Sequence, residues 1–237
     1  MINLIMQGGL GNQLFQYASA RILAENSNSF LYSNPIQGFG NIKTLHLGKV
    51  FLGKKQVIGG HYLPERVDMR TELNGYFQRI ERFEDHKTKV LKWLTPNSVD
   101  LKIAPSMGDL TLSIRRASNG WPIEQCPSVD FYLNLLKKIR FKKLWITTDS
   151  PSDEYFKPII SEYPGSEFVH LGPLGQYEFI RKSYSIIVAP STFSVLASWS
   201  SHAKIIYWPK ISALDFSKTE HNWFPSNDAR HVYVGGE

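Results

Sequence analysis

Apolar and polar positions change period several times along this chain, and each change marks an element. Residues 2–6 (Ile-Asn-Leu-Ile-Met) form a short apolar run that reads as a buried strand. Gly8-Gly9-Leu10-Gly11 follows, and then Leu14, Tyr17, Ala18, Arg21 and Ile22 fall at helical spacing. Strand, glycine turn and helix in that order present helix N-terminal N–H groups, a natural place for a phosphate or another polar ligand. Residues 34–66 are rich in Gly and Pro and show no period. Leu73–Gln78 reads as a strand with a polar end. Residues 80–94 predict one amphipathic helix carried by Ile80, Phe83, Val90, Leu91 and Leu94, stopped by Pro96.

The alternation restarts after the Pro96–Gly108 stretch, where the chain is expected to divide into domains of residues 1–105 and 106–237. Strands are predicted at 110–114, 144–148, 167–170, 185–189 and 205–208, with helices at 131–139, 156–163, 177–184 and from 192 to about 199. Such alternation argues for an α/β fold whose parallel sheet is covered on both faces. No internal repeat at fixed period is visible.

Composition narrows this picture. Of 237 residues, 42% are hydrophobic, enough for a real core and against long disordered stretches. The formal charge of +6 and a sequence pI near 9.3 suit a nucleic acid, an anionic membrane surface or a phosphate-bearing ligand. The bases are scattered, as in Lys137-Lys138 and Lys142-Lys143, and the aromatics fall at core-like positions. That pattern ranks nucleic-acid binding last. The single cysteine, Cys126, allows neither an internal disulfide nor a cysteine metal cluster and fits a cytoplasmic setting. No secretory pattern or ~20-residue apolar span is seen, so action at a membrane would be peripheral, at its inner face.

Three polar clusters sit at predicted strand ends: Arg115-Arg116, Thr148-Asp149-Ser150, and Ser191-Thr192-Phe193-Ser194. Ligands of open α/β sheets bind beyond the carboxyl ends of the strands, so the three are expected near one another. An arginine there can take a diphosphate in bidentate fashion. The serines and threonine open a helix, where hydroxyls, N–H groups and the dipole favour phosphate. Each cluster alone has an ordinary explanation, as a helix cap, an Asx-turn or a surface ion pair. The segment 8–11 is neither G-x-G-x-x-G nor a P-loop.

Gly9-Leu10-Gly11-Asn12-Gln13-Leu14-Phe15-Gln16-Tyr17-Ala18 closely resembles the opening motif of the family 11 α-1,2-fucosyltransferases. Asn74–Gln78 with Arg82-Phe83, Ser113–Arg116, Asp130–Tyr132, Thr148–Pro151, and Ser191–Ser194 with Ala197 and Trp199 are similar to further motifs of that family, in its order. The resemblance implies a GT-B-like fold, two Rossmann-like α/β domains facing across a cleft. It implies inverting, metal-independent transfer of fucose or a related sugar from a GDP-sugar to a glycan acceptor, with no cofactor beyond the donor. Arg115 and Arg116 would be catalytic, meeting the departing diphosphate. Ser191, Thr192, Phe193 and Ser194 would contact the phosphates, with Asp149 and Ser150 beside them. Glu178 would accept from guanine N–H groups. Gly9, Gly11, Asn12 and Gln13 would line the site from the first domain.

The chain departs from the family at Ser113, where the family has His, at Ala117-Ser118-Asn119 in place of Gly-Asp-Tyr, and at Val195-Leu196 in place of paired tryptophans. No general base stands at that strand end, and Glu124, Asp68 and Glu72 are the candidates elsewhere. Three readings stay open: an active enzyme with a base from another loop, a different sugar or acceptor, or a nucleotide-sugar-binding relative without catalysis.

Overall fold

The computed structural model describes residues 1–39, 54–116, 126–210 and 223–234. The chain divides into two compact units, Met1–Ser98 with Phe216–Pro225, and Val99–Asp215 with Ser226–Glu237. No helix among the described residues is long and apolar enough to cross a membrane.

The first unit holds a four-stranded parallel sheet of β1 (Ile2–Leu4), β2 (Leu31–Tyr32), β3 (Lys55–Gly60) and β4 (Arg70–Gly75), in the order β2-β1-β4-β3. Helix α1 (Leu10–Asn26) packs on β1 and β2. The pleat sends alternate side chains to opposite faces. Ile2, Leu4, Leu31, Thr71 and Leu73 are buried, while Tyr32, Val57 and Arg70 are exposed. The sheet therefore has one apolar face and one polar face, unlike a fully covered parallel sheet. From Leu14 to Ala24 every residue of α1 except Arg21 is buried, because short helices cover its far side. These are α2 (Glu81–Glu84) and α3 (Lys87–Trp93), in place of the single predicted helix over 80–94. Phe83 of α2 meets Phe15 with ring centroids 5.5 Å apart, and the Arg21 guanidinium lies 4.4 Å from the Trp93 ring.

The second unit holds six parallel strands: β5 (Leu110–Ile114), β6 (Leu144–Thr148), β7 (Glu167–Phe168), β8 (Ser185–Ile187), β9 (Ile205–Pro209) and β10 (His231–Val234). Their order is β10-β9-β8-β5-β6-β7. Every residue of β5 and β6 is buried, the mark of strands covered on both faces. On one side Leu110, Leu112, Ile114, Leu144 and Ile146 pack with Tyr132, Leu135 and Leu136 of α4 (Val129–Leu136) and with Ile159 of α5 (Lys157–Glu162). A 3-10 turn, Glu154–Phe156, leads into α5. On the other side Trp145 meets Phe179 of α6 (Pro173–Arg181), and α6 packs along α7 (Thr192–Trp199). On this buried side the Thr111 and Ser183 hydroxyls share a 2.7 Å hydrogen bond, and Trp145 Nε1 donates to Asp109 Oδ2 at 2.9 Å.

The tightest backbone packing lies where β3 and β4 end together. Gly60 and Gly75 are register partners, and a Cβ on Gly75 would stand 2.4 Å from the Gly60 carbonyl oxygen and 2.7 Å from its nitrogen. Two residues on, Phe77 takes φ 51°, the left-handed region that a bulky residue seldom enters. Its buried ring and the Ser19 hydroxyl, which donates to its carbonyl at 3.1 Å, hold it there. Gly75→Ala is expected to destabilise the protein by about 1–3 kcal/mol, an overpacking cost measurable by denaturant titration. An unchanged midpoint would show that the two strand ends are free to separate.

Candidate functional site

Strand order reverses within the second unit. From β5 the chain builds outward through β6 and β7, then returns to the other side of β5 for β8, β9 and β10. β5 and β8 thus flank a topological switch point, where flanking connections diverge to opposite faces and leave a crevice beyond the carboxyl ends. Arg115-Arg116 follow β5, Thr148-Asp149-Ser150 close β6 next to it, and Pro190 to Ser194 follow β8. The topology brings the three predicted clusters to one edge of one sheet.

The two arginines have different surroundings. The Arg116 Nε donates to Asp153 Oδ2 at 2.9 Å, and its guanidinium lies 4.1 Å from the centre of the Tyr155 ring. Its backbone N–H donates to Asp149 Oδ1 at 2.9 Å. Burial alone would lower the Arg116 pKa, and the Asp153 carboxylate outweighs it and raises it. Tyr155 Oη donates to the Pro127 carbonyl at 2.9 Å, and burial pushes that phenol well up. Cys126 Sγ donates to the Arg115 carbonyl at 2.8 Å. Arg116 and Asp149 are therefore a clasp joining the ends of β5 and β6 to the entry of α4. Ser150 takes part in the same turn, its N–H donating to Thr148 Oγ1 and its carbonyl accepting from Asp153 N–H. Arg115 stands half-buried at the strand end itself.

The start of α7 is held by its own hydroxyls. Ser191 Oγ accepts from Ser194 N–H at 3.2 Å, the expected N-cap bond, and Ser194 Oγ accepts from Ala189 N–H at 3.1 Å. Ser191, Thr192 and Ser194 are buried, and Phe193 is half-buried with its ring 5.7 Å from that of Tyr177. Burial pushes the Tyr177 phenol up to about 12, and its hydroxyl stays protonated beside Ser200. The Ser191 N–H donates to the Ala189 carbonyl at 2.7 Å, and the helix proper starts at Thr192 beyond the end of β8.

Glu178 sits inside α6, which begins at Pro173 rather than at the expected Tyr177. Its Oε2 accepts from Arg181 Nη1 at 2.5 Å, and Lys182 lies 3.6 Å from its Oε1. It is 9% exposed. Gln176 of the same helix reaches the β6 end, donating to the Thr148 carbonyl at 3.4 Å.

In the first unit, Asn12 and Gln13 belong to a network of amides at the turn that carries Gly9 and Gly11. Gln13 Nε2 donates to the Gly8 carbonyl at 2.9 Å, and Gln78 Nε2 donates to Asn12 Oδ1 at 2.8 Å. Gln16, wholly buried, accepts from Gln7 N–H at 2.9 Å and donates back to its carbonyl at 3.2 Å. Gly8 has φ +74°, and a Cβ there would fall 2.3 Å from Asn12 Nδ2. The sequence reading did not single out Gln16, Gln7, Asp153 or Tyr155. Their partners lie at no regular spacing: Gln16 ties the Gln7 backbone nine positions away, Tyr155 reaches the Pro127 carbonyl 28 positions away, and Asp153 meets Arg116 37 positions away.

Among the base candidates, Glu72 lies on the polar face of the first sheet, its carboxylate taken by Lys55 at 3.0 Å. That hydrogen bond holds its pKa below the usual range, the opposite of what a general base needs. Asp68 is exposed. Glu124 and Ala117-Ser118-Asn119 lie outside the described residues. Among the described residues no group of three His, Cys, Asp or Glu side chains is arranged to hold a metal ion.

No protein-family model matches the sequence, and no curated protein matches it. Among the solved structures similar to it are three of NodZ. One is NodZ alpha-1,6-fucosyltransferase co-crystallised with GDP, at TM-score 0.56 and 11% identity over 86% of this chain and 93% of that one. Another is NodZ alpha-1,6-fucosyltransferase soaked with GDP-fucose, at 0.55 and 11% over 86% and 93%. The third is fucosyltransferase NodZ from Bradyrhizobium, at 0.57 and 11% over 86% and 94%. At this identity the likeness is one of fold: the chain has the mixed α/β, GT-B-like fold expected from its sequence.

The Asp153 clasp has a pH signature. The Tyr155 N–H, then Arg116, hold the Asp153 carboxyl below its ordinary pKa. Its contribution to stability is whole above the unfolded aspartate value of about 3.9 and fades as pH falls through the lower folded value. Asp153→Asn is expected to lower the thermal midpoint at pH 7 and to match the parent once both carboxyl states are protonated. A constant difference across the acid range would show that the loss is steric.

Proposed function

We propose that the chain is an inverting, metal-independent glycosyltransferase of the family 11 kind, moving fucose from a GDP-sugar donor to a glycan acceptor. One observation carries the reading: the switch point of the second sheet sets Arg115 and the start of α7 at neighbouring strand ends. The fold is shared with NodZ fucosyltransferases solved with GDP and with GDP-fucose. In an inverting transfer the acceptor oxygen attacks the anomeric carbon as the bond to the diphosphate breaks. Negative charge then grows on the leaving phosphate, and fixed donors aimed there lower the barrier. Arg115 supplies a cation, and the Ser191–Phe193 turn supplies N–H and hydroxyl donors. Arg116 acts through the clasp, holding the strand end in place. The +6 charge suits peripheral action at an anionic inner membrane face, and the scattered bases argue against a nucleic-acid partner.

A second reading, donor binding without transfer, is favoured by the carboxylates. Glu72 and Asp153 are each committed to a cation and held low. Calorimetric titration with GDP, GDP-fucose, GDP-mannose and UDP, followed by a donor-hydrolysis assay, separates the two. Preferential GDP-fucose binding with turnover establishes the transferase, and GDP binding without turnover establishes the silent relative.

Arg115→Ala is expected to lower turnover roughly 10²–10³-fold, the loss of one charge-stabilising group, without moving the unfolding midpoint. A variant with full turnover would remove Arg115 from the chemistry. EDTA is expected to leave turnover unchanged, and inactivation reversed by added Mg²⁺ or Mn²⁺ would overturn the metal-independent reading.

A further inference from the structure

We propose that the carboxyl ends of β3 and β4 carry a carbohydrate-stacking platform built on Tyr62 and Tyr76. The proposal deepens the transferase reading, and rests on it for the role of the bound glycan as acceptor. Tyr62 is 61% exposed and Tyr76 37%. Scattered exposed aromatics are ordinary, but these two follow neighbouring strands at the end of the sheet where ligands of α/β folds bind.

Both rings are held although neither is buried. The Arg79 guanidinium lies 4.4 Å from the centre of the Tyr62 ring and is itself paired with Glu81. The His61 ring lies 15° from parallel with Tyr76, with centroids 6.4 Å apart. The backbone beneath is equally fixed. Gly60 carbonyl accepts from Tyr76 N–H at 3.0 Å, Gly75 has no room for a Cβ, and Phe77 is locked in its left-handed conformation. A ring that stays exposed adds little to folding. Its immobilisation instead removes an ordering cost from binding.

The chemistry around the rings suits a sugar. A pyranose offers an apolar C–H face, matched by a tyrosine ring, and a rim of hydroxyls, matched by amides and charged pairs. Asn74 is exposed beside Tyr76, and its Oδ1 accepts from Gln7 Nε2 at 2.8 Å, which orients the amide. Arg79 and Glu81 supply a donor and an acceptor next to Tyr62. A glycan chain is therefore the occupant these groups fit.

The test uses the full-length protein on an array of immobilised oligosaccharides that includes cellotetraose, maltotetraose and N-acetyllactosamine. The best-bound glycan is then titrated by calorimetry, with and without GDP. Tyr62→Ala and Tyr76→Ala are each expected to weaken that glycan about tenfold, the usual cost of truncating an aromatic anchor. Tyr62→Phe should retain most of the affinity, and all variants should keep GDP affinity and thermal midpoint. Capture of no glycan, or equal affinity in both alanine variants, overturns the platform. Failure of the parent to bind GDP while glycan binding still depends on the tyrosines would sink the transferase reading and leave the platform standing.

Discussion

Everything at the candidate site depends on the reversal of strand order beside β5. Parallel strands force each crossover over one face of the sheet, and the path taken after β7 sends α6 and α7 to the face opposite α4 and α5. The chain leaving β5 and the chain leaving β8 therefore part company. Beyond two adjacent strand ends whose connections part, polar residues can stand at no cost to the core. Arg115 and the Ser191–Ser194 turn occupy those two ends. The buried interior of β5 and β6 beneath them gives the rigidity that charge stabilisation requires.

Strand ends raise a second demand, because the ladder stops there and backbone groups lose their partners. Both units meet it with side chains in or close to the motif segments. In the second unit Asp149 takes the Arg116 N–H and Asp153 takes its guanidinium. In the first, Gln13, Gln16 and Asn12 tie the glycine turn and the β4 end with amides. On the proposed reading, motif residues divide into those that face the donor and those that hold them in place. Arg116 on that reading belongs to the second kind: its Nε is committed to Asp153 and its guanidinium lies over the Tyr155 ring.

Much of the second unit was legible because its signals are local. Leu110–Ile114 and Leu144–Thr148 are apolar runs bounded by polar turns, and Ser191 precedes an apolar helix as an N-cap should. The first unit was harder. β3, Lys55–Gly60, lies in the Gly-rich segment and ends in two glycines, which read as turn and here mark a close strand approach. β2 is two residues long, and β10 is defined by pairing with β9 rather than by any period of its own. The 80–94 helix breaks at Asp85-His86, where His86 takes φ −115° and ψ 15°, outside the helical region. The partners of Arg116 were hidden for a different reason. Asp153 and Tyr155 are remote in sequence, and only the sheet register, with Ile114 opposite Thr148, makes them neighbours.

The carboxylates bear on how such a site works. Asp153 and Glu72 are both held below their ordinary pKa by donors, and Asp149 and Glu178 already accept from Arg116 and Arg181. A carboxylate stabilised as an anion is a poor proton acceptor. A glycosyl transfer whose donor bond breaks early, with oxocarbenium character at the anomeric carbon, asks least of a base. The acceptor hydroxyl then loses its proton late, when the new bond has made it acidic. It asks most of whatever stabilises the leaving diphosphate. On the proposed reading that demand falls to Arg115 and the start of α7, which puts the electrostatics of the site on the departure of the nucleotide rather than on activation of the acceptor.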